Sequence, residues 1–444
     1  MRPSLRAALA SVPEILLLIT IIAAVVNVVH LLQINGYLPQ PFIWDTRDTF
    51  MDWYNTTYWA HNVGAYTNWG SVYPPLSFVF LRLFSNPACY HTEAPSARQC
   101  DFVGIASILS FYVVGMILAY VVFRRRHKPT ALIRAAALAL SYPGLFALER
   151  GNLLIPCFVF FVLAHGDLLR ARWARALAMA MTINFKPYLV VPVFGIAIKR
   201  QWRMFELAGL ASVGLYFATY GLFGAGSPGD IVANTRNWIE FTATSFIGEI
   251  YQTTSFNGFF GVLDHGFPIL NFIDSQTLSS WILRVKVLML VTQVAAAVAI
   301  LGAWLQPKAL PLARVSLLLF VLFLTTQSPG GYIEIFVVFL VFLEPFKRPG
   351  QIAAIILAYL ICIPYDYVFA QMPNIHADSW LTGRAIVGHF GIAVGQFLRP
   401  AGLLLLLLSL SIDSIVEIVR AHRSTRPLLR LRLPALPKLV RAQP

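Results

Sequence analysis

The sequence predicts an all-α polytopic membrane protein with about 10–11 transmembrane helices, plus re-entrant or interfacial helices. Of its 444 residues, 58% are hydrophobic and only 12% are charged, whereas soluble domains carry roughly 25% charged residues. Several stretches are nearly free of charge over about 20 residues, the length needed to cross roughly 30 Å of hydrocarbon. Basic residues also recur in short loops that lie on one side of the predicted membrane.

The apolar stretches define ten spans and one broken segment within a single membrane domain, residues 1–444. The first stretch is too long for a signal-peptide core and no small-residue cleavage site follows it, so we expect it to be retained. Residues 176–198 are predicted to form a broken or re-entrant helix pair, because both of its ends are basic. The predicted spans are residues 13–34, 102–123, 131–148, 152–169, 205–223, 281–304, 313–328, 332–346, 350–368 and 396–416.

The charge distribution predicts the orientation of the chain. With the N-terminus in the cytoplasm, 24 of the 34 Lys and Arg residues fall on the cytoplasmic side, and 14 of the 20 Asp and Glu residues fall on the opposite side. Cytoplasmic loops of membrane proteins are rich in Lys and Arg. The net charge of +14, including the basic tail 420–444, therefore indicates orientation in a plasma (inner) membrane and not a nucleic-acid partner.

Most Asp and Glu residues lie in loops on the non-cytoplasmic side, so a catalytic site is expected on that side. The first outer loop covers residues 35–101 and the second covers 224–280. Within the first, Pro74 to Ser85 is apolar but too short to span, which predicts an interfacial or re-entrant helix. Cys89 and Cys100 flank a short polar segment, and an oxidising compartment would allow a disulfide between them. No residue set has the spacing of a zinc site, so no metal is expected.

Three aspartates follow the first helix at helical spacing. If residues 44–61 are helical, Asp45, Asp48 and Asp52 share one face. A carboxylate at the membrane surface, walled by aromatic residues, could act as a general base on an acceptor hydroxyl, and the aromatic faces suit a sugar ring. The alternative is that these acids only decorate an outer loop.

Two further motifs place polar groups at or inside the membrane. Glu149, Arg150 and Asn152 lie where one predicted helix ends and the next begins. Charged side chains are energetically unfavourable there, which favours a functional role. The alternative is a helix–helix turn with a local salt bridge. Lys186 lies in an apolar stretch next to Pro187, which breaks the helix. Such a buried cation could hold a lipid phosphate, and the alternative is a snorkelling lysine.

The order of these motifs resembles glycosyltransferase family 87, a family of the membrane-embedded C-type superfamily. The motifs are "DWYNTTYWAHNVGAY" and "YPPL" in the first outer loop, "ALERGN" between two helices and "FKPYLVVP" in the broken segment. The resemblance covers residues 40–200, and beyond them the predicted topology alone fits. A neighbouring C-type family places its aspartate directly before "YPPL", where this chain has Val72.

The resemblance implies a C-type architecture and an inverting enzyme without cofactor. Its donor would be polyprenyl-phosphate mannose or arabinofuranose, and its acceptor a glycan or glycolipid on the periplasmic or outer side of the bilayer. The catalytic aspartate would be Asp52, with Asp48 as the second candidate because both fit the family spacing loosely. Lys186 and Arg150 would bind the donor phosphate. The implied substrate-binding residues are Tyr54, Tyr66, Tyr73, Glu149 and Asn152.

Two other functions fit a chain with many helices and large outer loops. A polysaccharide polymerase or lipid-glycan ligase would use a diphosphate-linked donor and depend on basic loop residues. The excess of acidic residues outside counts against it. A transporter would place ionisable groups at mid-membrane and show internal repeats, whereas this sequence has one such lysine and no repeat.

Overall fold

The computed structural model describes residues 3–244, 255–256, 273–326, 330–371, 375–389 and 391–425. These residues form helices connected by short turns and two small antiparallel strand pairs. We number the α-helices α1 to α17 in chain order. They are Pro3–Asn35, Met51–His61, Pro75–Leu83, Ala94–Cys100, Phe102–Arg126, Ala131–Ala139, Tyr142–Arg150, Leu154–His165, Arg172–Phe185, Val190–Ile198, Trp202–Phe223, Pro228–Thr244, Ser275–Leu305, Leu312–Leu324, Glu334–Val341, Pro349–Ile361 and Gly395–Thr425.

Five helices in the described part of the chain are long and apolar enough to cross a membrane, which makes this a multi-pass membrane protein. They lie within α1, α5, α11, α13 and α17. A sixth span results if α6 and α7, which meet at a bend of 41°, count as one. The described part of the chain thus contains five or six helices of full spanning length, where the sequence predicted 10–11 spans.

The other predicted spans are shorter apolar helices of 10–17 residues. One of them joins the 3-10 turn Gly331–Ile333 to α15, in which every residue from Glu334 to Val341 is buried inside the protein. An apolar run indicates removal from water but does not distinguish protein from lipid as the neighbour. The apolar run of α15 therefore reflects burial within the protein.

The predicted break in residues 176–198 is confirmed. Helix α9 ends at Phe185, Lys186 is extended, a 3-10 turn covers Pro187–Leu189 and α10 begins at Val190. A residue before proline is disfavoured in the helical region, and proline itself lacks the N–H that would continue the helix. The side chain of Lys186 therefore leaves the helix at this break.

The first outer loop is an ordered layer of short helices. The predicted helix at 74–85 is confirmed as α3, with Pro75 in its first turn. The predicted disulfide is also present: Cys89 and Cys100 are bonded, with their Cα atoms 5.6 Å apart. It ties the turn before α4 to the end of α4, where α5 begins.

Residues 44–61 are not one helix, so the prediction that Asp45, Asp48 and Asp52 share one helical face is wrong. A 3-10 turn spans Thr46–Asp48, and α2 begins only at Met51. Between them Phe50 adopts a left-handed conformation with φ 63°, which interrupts the helix before α2.

The loop after α16 contains strands that the sequence analysis did not predict. Strand Val368–Gln371 pairs with Gly391–Ala393, and Ile375–Asp378 pairs with Ala385–Gly388. The second pair forms a hairpin that lies against the first outer loop. There the Trp380 N–H donates to the Thr46 hydroxyl at 2.7 Å.

Two of the predicted regions are described only in part. The second loop, 224–280, contains α12 and the start of α13. Of the basic tail 420–444, residues 420–425 complete α17 and residues 426–444 lie outside the described part of the chain.

Candidate functional site

Asp52 lies at the centre of the site, in the first turn of α2. Arg150 donates to one of its carboxylate oxygens from Nη2 at 2.7 Å, and the Asn152 amide donates to the other at 2.6 Å. The Asp52 side chain remains 21% exposed. Three residues that were selected on sequence alone, from loops about 100 positions apart, thus meet around one carboxylate that still reaches the surface.

Asp48 and Asp45 have different environments from Asp52. Arg150 Nη1 lies 3.2 Å from an Asp48 carboxylate oxygen, but the Asp48 side chain is 51% exposed. Asp45 forms a separate ion pair with Arg47 at 2.7 Å. Burial acts to raise the pKa of Asp45, but the Arg47 partner outweighs it and holds this pKa below its usual range. Of the three aspartates, Asp52 is the one whose two carboxylate oxygens are held by two different residues of the "ERGN" motif.

The "ERGN" motif presents Arg150 and Asn152 together because of its backbone. Gly151 ends α7 in the left-handed conformation, with φ 61°, which glycine adopts without a Cβ penalty. The backbone N–H of Asn152 then donates to the carbonyl oxygen of Ala147 at 3.0 Å. In addition, the carbonyl of Glu149 accepts from the Phe50 N–H at 2.7 Å. The motif therefore clamps the chain just before Asp52.

Lys186 and Tyr73 form the second part of the site. The Lys186 ammonium lies 3.2 Å from the Tyr73 hydroxyl and 4.3 Å from the centre of its ring. Lys186 is buried, with 7% of its surface exposed. Burial and the nearby Asp52 carboxylate raise the pKa of Tyr73, and the Asn152 amide contacts its hydroxyl. Tyr73 therefore connects the Asp52 carboxylate with a buried cation.

The other two tyrosines that the resemblance predicted to bind substrate, Tyr54 and Tyr66, instead make hydrogen bonds within the protein. The Tyr54 hydroxyl is fully buried and donates to the Asp101 carbonyl at 2.6 Å. The Tyr66 hydroxyl donates to the Tyr73 carbonyl at 2.8 Å. Both hydroxyls are thus occupied within the protein, and in this structure these residues anchor α2 and the backbone of Tyr73.

Glu149 turns its carboxylate into the protein, away from solvent. Its side chain is buried, and neither carboxylate oxygen has a hydrogen-bond partner in the described part of the chain. Of the charges that act on it, that of Arg150 is the strongest, ahead of those of Asp52 and Asp48. The structure thus places Glu149 directly behind the Asp52 site and leaves its carboxylate unoccupied.

Arg98 is a site-forming residue that the sequence analysis did not select. Its guanidinium donates from Nη1 to the carbonyls of Arg47 and Thr49, at 2.7 and 2.6 Å. The ring of Trp380 covers it at 3.9 Å. Arg98 therefore fixes the backbone on both sides of Asp48. A signal was present, since Arg98 lies within the segment closed by the Cys89–Cys100 disulfide.

Among the described residues, no group of three or more His, Cys, Asp or Glu side chains is arranged to hold a metal ion. No family model, no curated protein and no solved structure matches the chain. The resemblance to glycosyltransferase family 87 therefore stays a prediction from the motifs.

Proposed function

We propose that the protein is an inverting glycosyltransferase of the plasma membrane. It moves a sugar from a polyprenyl-phosphate donor to a lipid-linked or polymeric glycan acceptor on the non-cytoplasmic face. Mannose is the favoured sugar and arabinofuranose the next. The observation that carries the proposal is the partly exposed Asp52 carboxylate, oriented by Arg150 and Asn152, with the Lys186 cation one tyrosine away.

Asp52 is the proposed general base. A base must come within hydrogen-bond reach of the proton that it removes, and the Asp52 side chain is 21% exposed. Its carboxylate takes the proton of the acceptor hydroxyl while that oxygen attacks the anomeric carbon of the donor. Arg150 and Asn152 fix the direction in which the carboxylate points.

Lys186 is the proposed ligand of the donor phosphate. It is buried and has no carboxylate within ion-pair distance in the described part of the chain. A buried cation without a counter-ion is unfavourable, so an anion at this position would stabilise it. The Tyr188 hydroxyl, two residues further along, is buried without a hydrogen-bond partner among the described residues. A phosphate would satisfy both groups.

The reaction is a single displacement. As the bond from the acceptor oxygen to the anomeric carbon forms, the bond to the phosphate oxygen breaks, and the bonding pair leaves with polyprenyl phosphate. The anomeric centre is thereby inverted. Lys186 stabilises the charge that develops on the leaving phosphate, because a fixed cation in a water-poor site stabilises such charge strongly.

The proposed orientation rests on two independent features. Lys and Arg residues are concentrated in the loops opposite the Asp52 loop, as expected of cytoplasmic loops. The Asp52 loop also contains the Cys89–Cys100 disulfide, and disulfides persist in oxidising compartments outside the cytosol. Both features favour an active site that faces the periplasm or the outside.

The test is a transfer assay with purified protein in detergent. Polyprenyl-phosphate mannose and polyprenyl-phosphate arabinofuranose are supplied separately, with a membrane lipid extract as acceptor. We expect transfer from one donor, its loss in Asp52→Asn and its retention in Asp45→Asn, a matched change at a carboxylate that pairs with Arg47 instead.

The assay also separates the proposal from its main alternative. Full turnover by Asp52→Asn would show that Asp52 is not the base. If neither monophosphate donor releases polyprenyl phosphate, while a diphosphate-linked donor supports chain extension, the protein is a polymerase or ligase.

A further inference from the structure

The exposed face of α2 carries polar and aromatic groups in line with Asp52. Asn55 and Trp59 follow Asp52 by three and seven residues, a spacing that keeps side chains on one face of a helix. All three side chains are partly exposed, whereas Met51, Trp53, Tyr54, Thr56, Thr57 and Ala60 on the other faces are buried. The helix therefore presents a base, an amide and an indole along one stripe.

At the aromatic end of this stripe, three aromatic rings pack against one another. The rings of Trp59 and Trp69 stack at 14° with centroids 6.1 Å apart, and the edge of Tyr58 meets Trp69 at 5.6 Å. A tight turn holds Trp69 in place, since its N–H bonds to the Gly64 carbonyl at 3.2 Å. Trp59, Trp69 and Tyr58 remain partly exposed. We call these three residues the aromatic platform.

Asn55 lies between Asp52 and the aromatic platform. Its side chain makes no hydrogen bond to the protein in the part of the chain that the structure describes. An amide offers both donors and an acceptor, which is the complement of a pair of sugar hydroxyls. The stripe therefore combines hydrogen-bonding capacity in its middle with flat apolar rings at its end.

We propose that this face of α2 is the acceptor-binding surface, and that the acceptor contains at least two sugar residues. The proposal rests on the proposed function, because it takes Asp52 as the base. Seven residues of helix separate Asp52 from Trp59 by about 10 Å, which is more than one sugar ring covers. The accepting sugar lies at Asp52, and the sugar that precedes it lies over Asn55 and the aromatic platform.

Carbohydrate chemistry fits each part of this surface. A sugar ring has apolar C–H faces that pack on aromatic planes, and hydroxyl edges that pair with amides. Trp and Tyr contribute large contact areas with few rotatable bonds. Acceptor recognition along α2 would also fix the accepting hydroxyl at the end of the stripe, next to the Asp52 carboxylate.

A competing occupant of an aromatic surface in a membrane protein is the membrane interface, where Trp and Tyr are enriched. The two occupants differ in what truncation of Trp59 changes. Loss of an interface anchor leaves sugar affinity unaltered, whereas loss of an acceptor contact lowers the affinity for longer glycans in particular.

The experiment measures binding of synthetic octyl glycosides with one, two and three sugars, in both a mannose and an arabinofuranose series. The full-length protein in lipid nanodiscs is titrated by calorimetry, without donor. We expect the two- and three-sugar members of one series to bind more tightly than the one-sugar member. Both Trp59→Ala and Asn55→Ala should reduce the affinity for the two- and three-sugar glycosides to that for the one-sugar member. For Trp59→Ala we expect a reduction of about tenfold, as for truncation of an aromatic anchor.

Trp173→Ala is the matched control, since Trp173 is 68% exposed but lies at the start of α9. Equal affinity for all lengths, no binding in either series, or a gain that survives Trp59→Ala would each overturn the proposal. Transfer by the wild type from a polyprenyl-phosphate donor, lost in Asp52→Asn, tests the proposed function separately. Such transfer combined with equal affinity for all glycoside lengths would overturn the acceptor-binding proposal alone.

Discussion

Two clusters of arginine and carboxylate side chains differ in how completely their polar atoms are occupied. In the first, Arg134 donates to both Glu14 oxygens at 2.8 and 2.9 Å, and to the carbonyls of Phe342 and Glu344 at 2.6 and 2.8 Å. The Arg134 and Glu14 side chains are 1% and 0% exposed. Tyr359 adds a further hydrogen bond to Glu14 at 3.0 Å. This cluster is closed.

The second cluster, around Arg150, is open. Its carboxylates on Asp52 and Asp48 are 21% and 51% exposed. Lys186 nearby has a tyrosine but no carboxylate as a partner in the described part of the chain. A buried network with every group satisfied gives rigidity, whereas unfilled donors and exposed acceptors can still bind a ligand. We infer from this difference that the Arg134 cluster stabilises the fold, whereas the Arg150 cluster has polar groups that can bind a ligand.

The largest expected effect is on the closed cluster. In Arg134→Met the Glu14 carboxylate loses its only ion-pair partner among the described residues and stays buried. Removal of one partner of a buried pair costs about 3–5 kcal/mol. We therefore expect a clear fall in the melting temperature, measured by thermal unfolding in detergent.

The matched control for Arg134→Met is the double variant Glu14→Gln with Arg134→Met. It removes both charges, so the stability should recover in large part. Equal melting temperatures for the wild type and Arg134→Met would contradict the stabilising role of the closed cluster.

The next effect concerns activity at the open cluster. Arg150→Met leaves the Asp52 carboxylate with Asn152 alone, so the proposed base loses its orientation. We expect transfer to fall about 100- to 1,000-fold, the size typical for loss of one electrostatic contact in a catalytic site. The melting temperature should change less than in Arg134→Met, because the two carboxylates in ion pairs with Arg150, on Asp52 and Asp48, can reach water.

A direct comparison of Arg134→Met with Arg150→Met tests which cluster stabilises the fold and which supports transfer. Transfer rate and melting temperature are measured on the same preparations. A large stability loss with unchanged transfer in Arg150→Met would reverse the assignment of the two clusters.

The sequence predicted the polar residues of the site more closely than the lengths of the apolar helices. Ionisable residues in an apolar chain are costly, so Arg150 and Lys186 were conspicuous, and the structure places both next to sequence-selected partners. Span counting relied on apolar runs, which buried helices such as α15 also show. The broken segment was predictable because Pro187 imposes a local constraint that no tertiary contact removes.

Features set by tertiary contacts were not predictable from local patterns. The helical periodicity of Asp45, Asp48 and Asp52 suggested one face, but Phe50 takes a left-handed conformation that a bulky residue rarely adopts. That conformation accompanies the contact between the Phe50 N–H and the Glu149 carbonyl, about 100 residues away in sequence. Likewise, the contact between Arg98 and Trp380 of the hairpin at 375–388 joins segments that are far apart in the sequence.

The smallest expected effect comes from the glycine between the two halves of the open cluster. Gly151→Ala places a Cβ in a left-handed conformation, 3.1 Å from Phe50 Cα and 3.2 Å from its carbonyl oxygen. The conformation costs roughly 1–2 kcal/mol, and the close contact also pushes on the turn before Asp52. Gly224→Ala is the matched control, since Gly224 also ends a helix, at φ 81°, with no atom within 4 Å of the added Cβ.

Both glycine variants should lose a similar, modest amount of stability, because both incur the same backbone strain. Transfer should fall in Gly151→Ala alone, because only there does the new methyl group displace the segment that carries Asp48 and Asp52. Thermal unfolding and the transfer assay on both proteins make the test. Equal transfer by the two variants would mean that the clamp between residues 50 and 149 does not position the base.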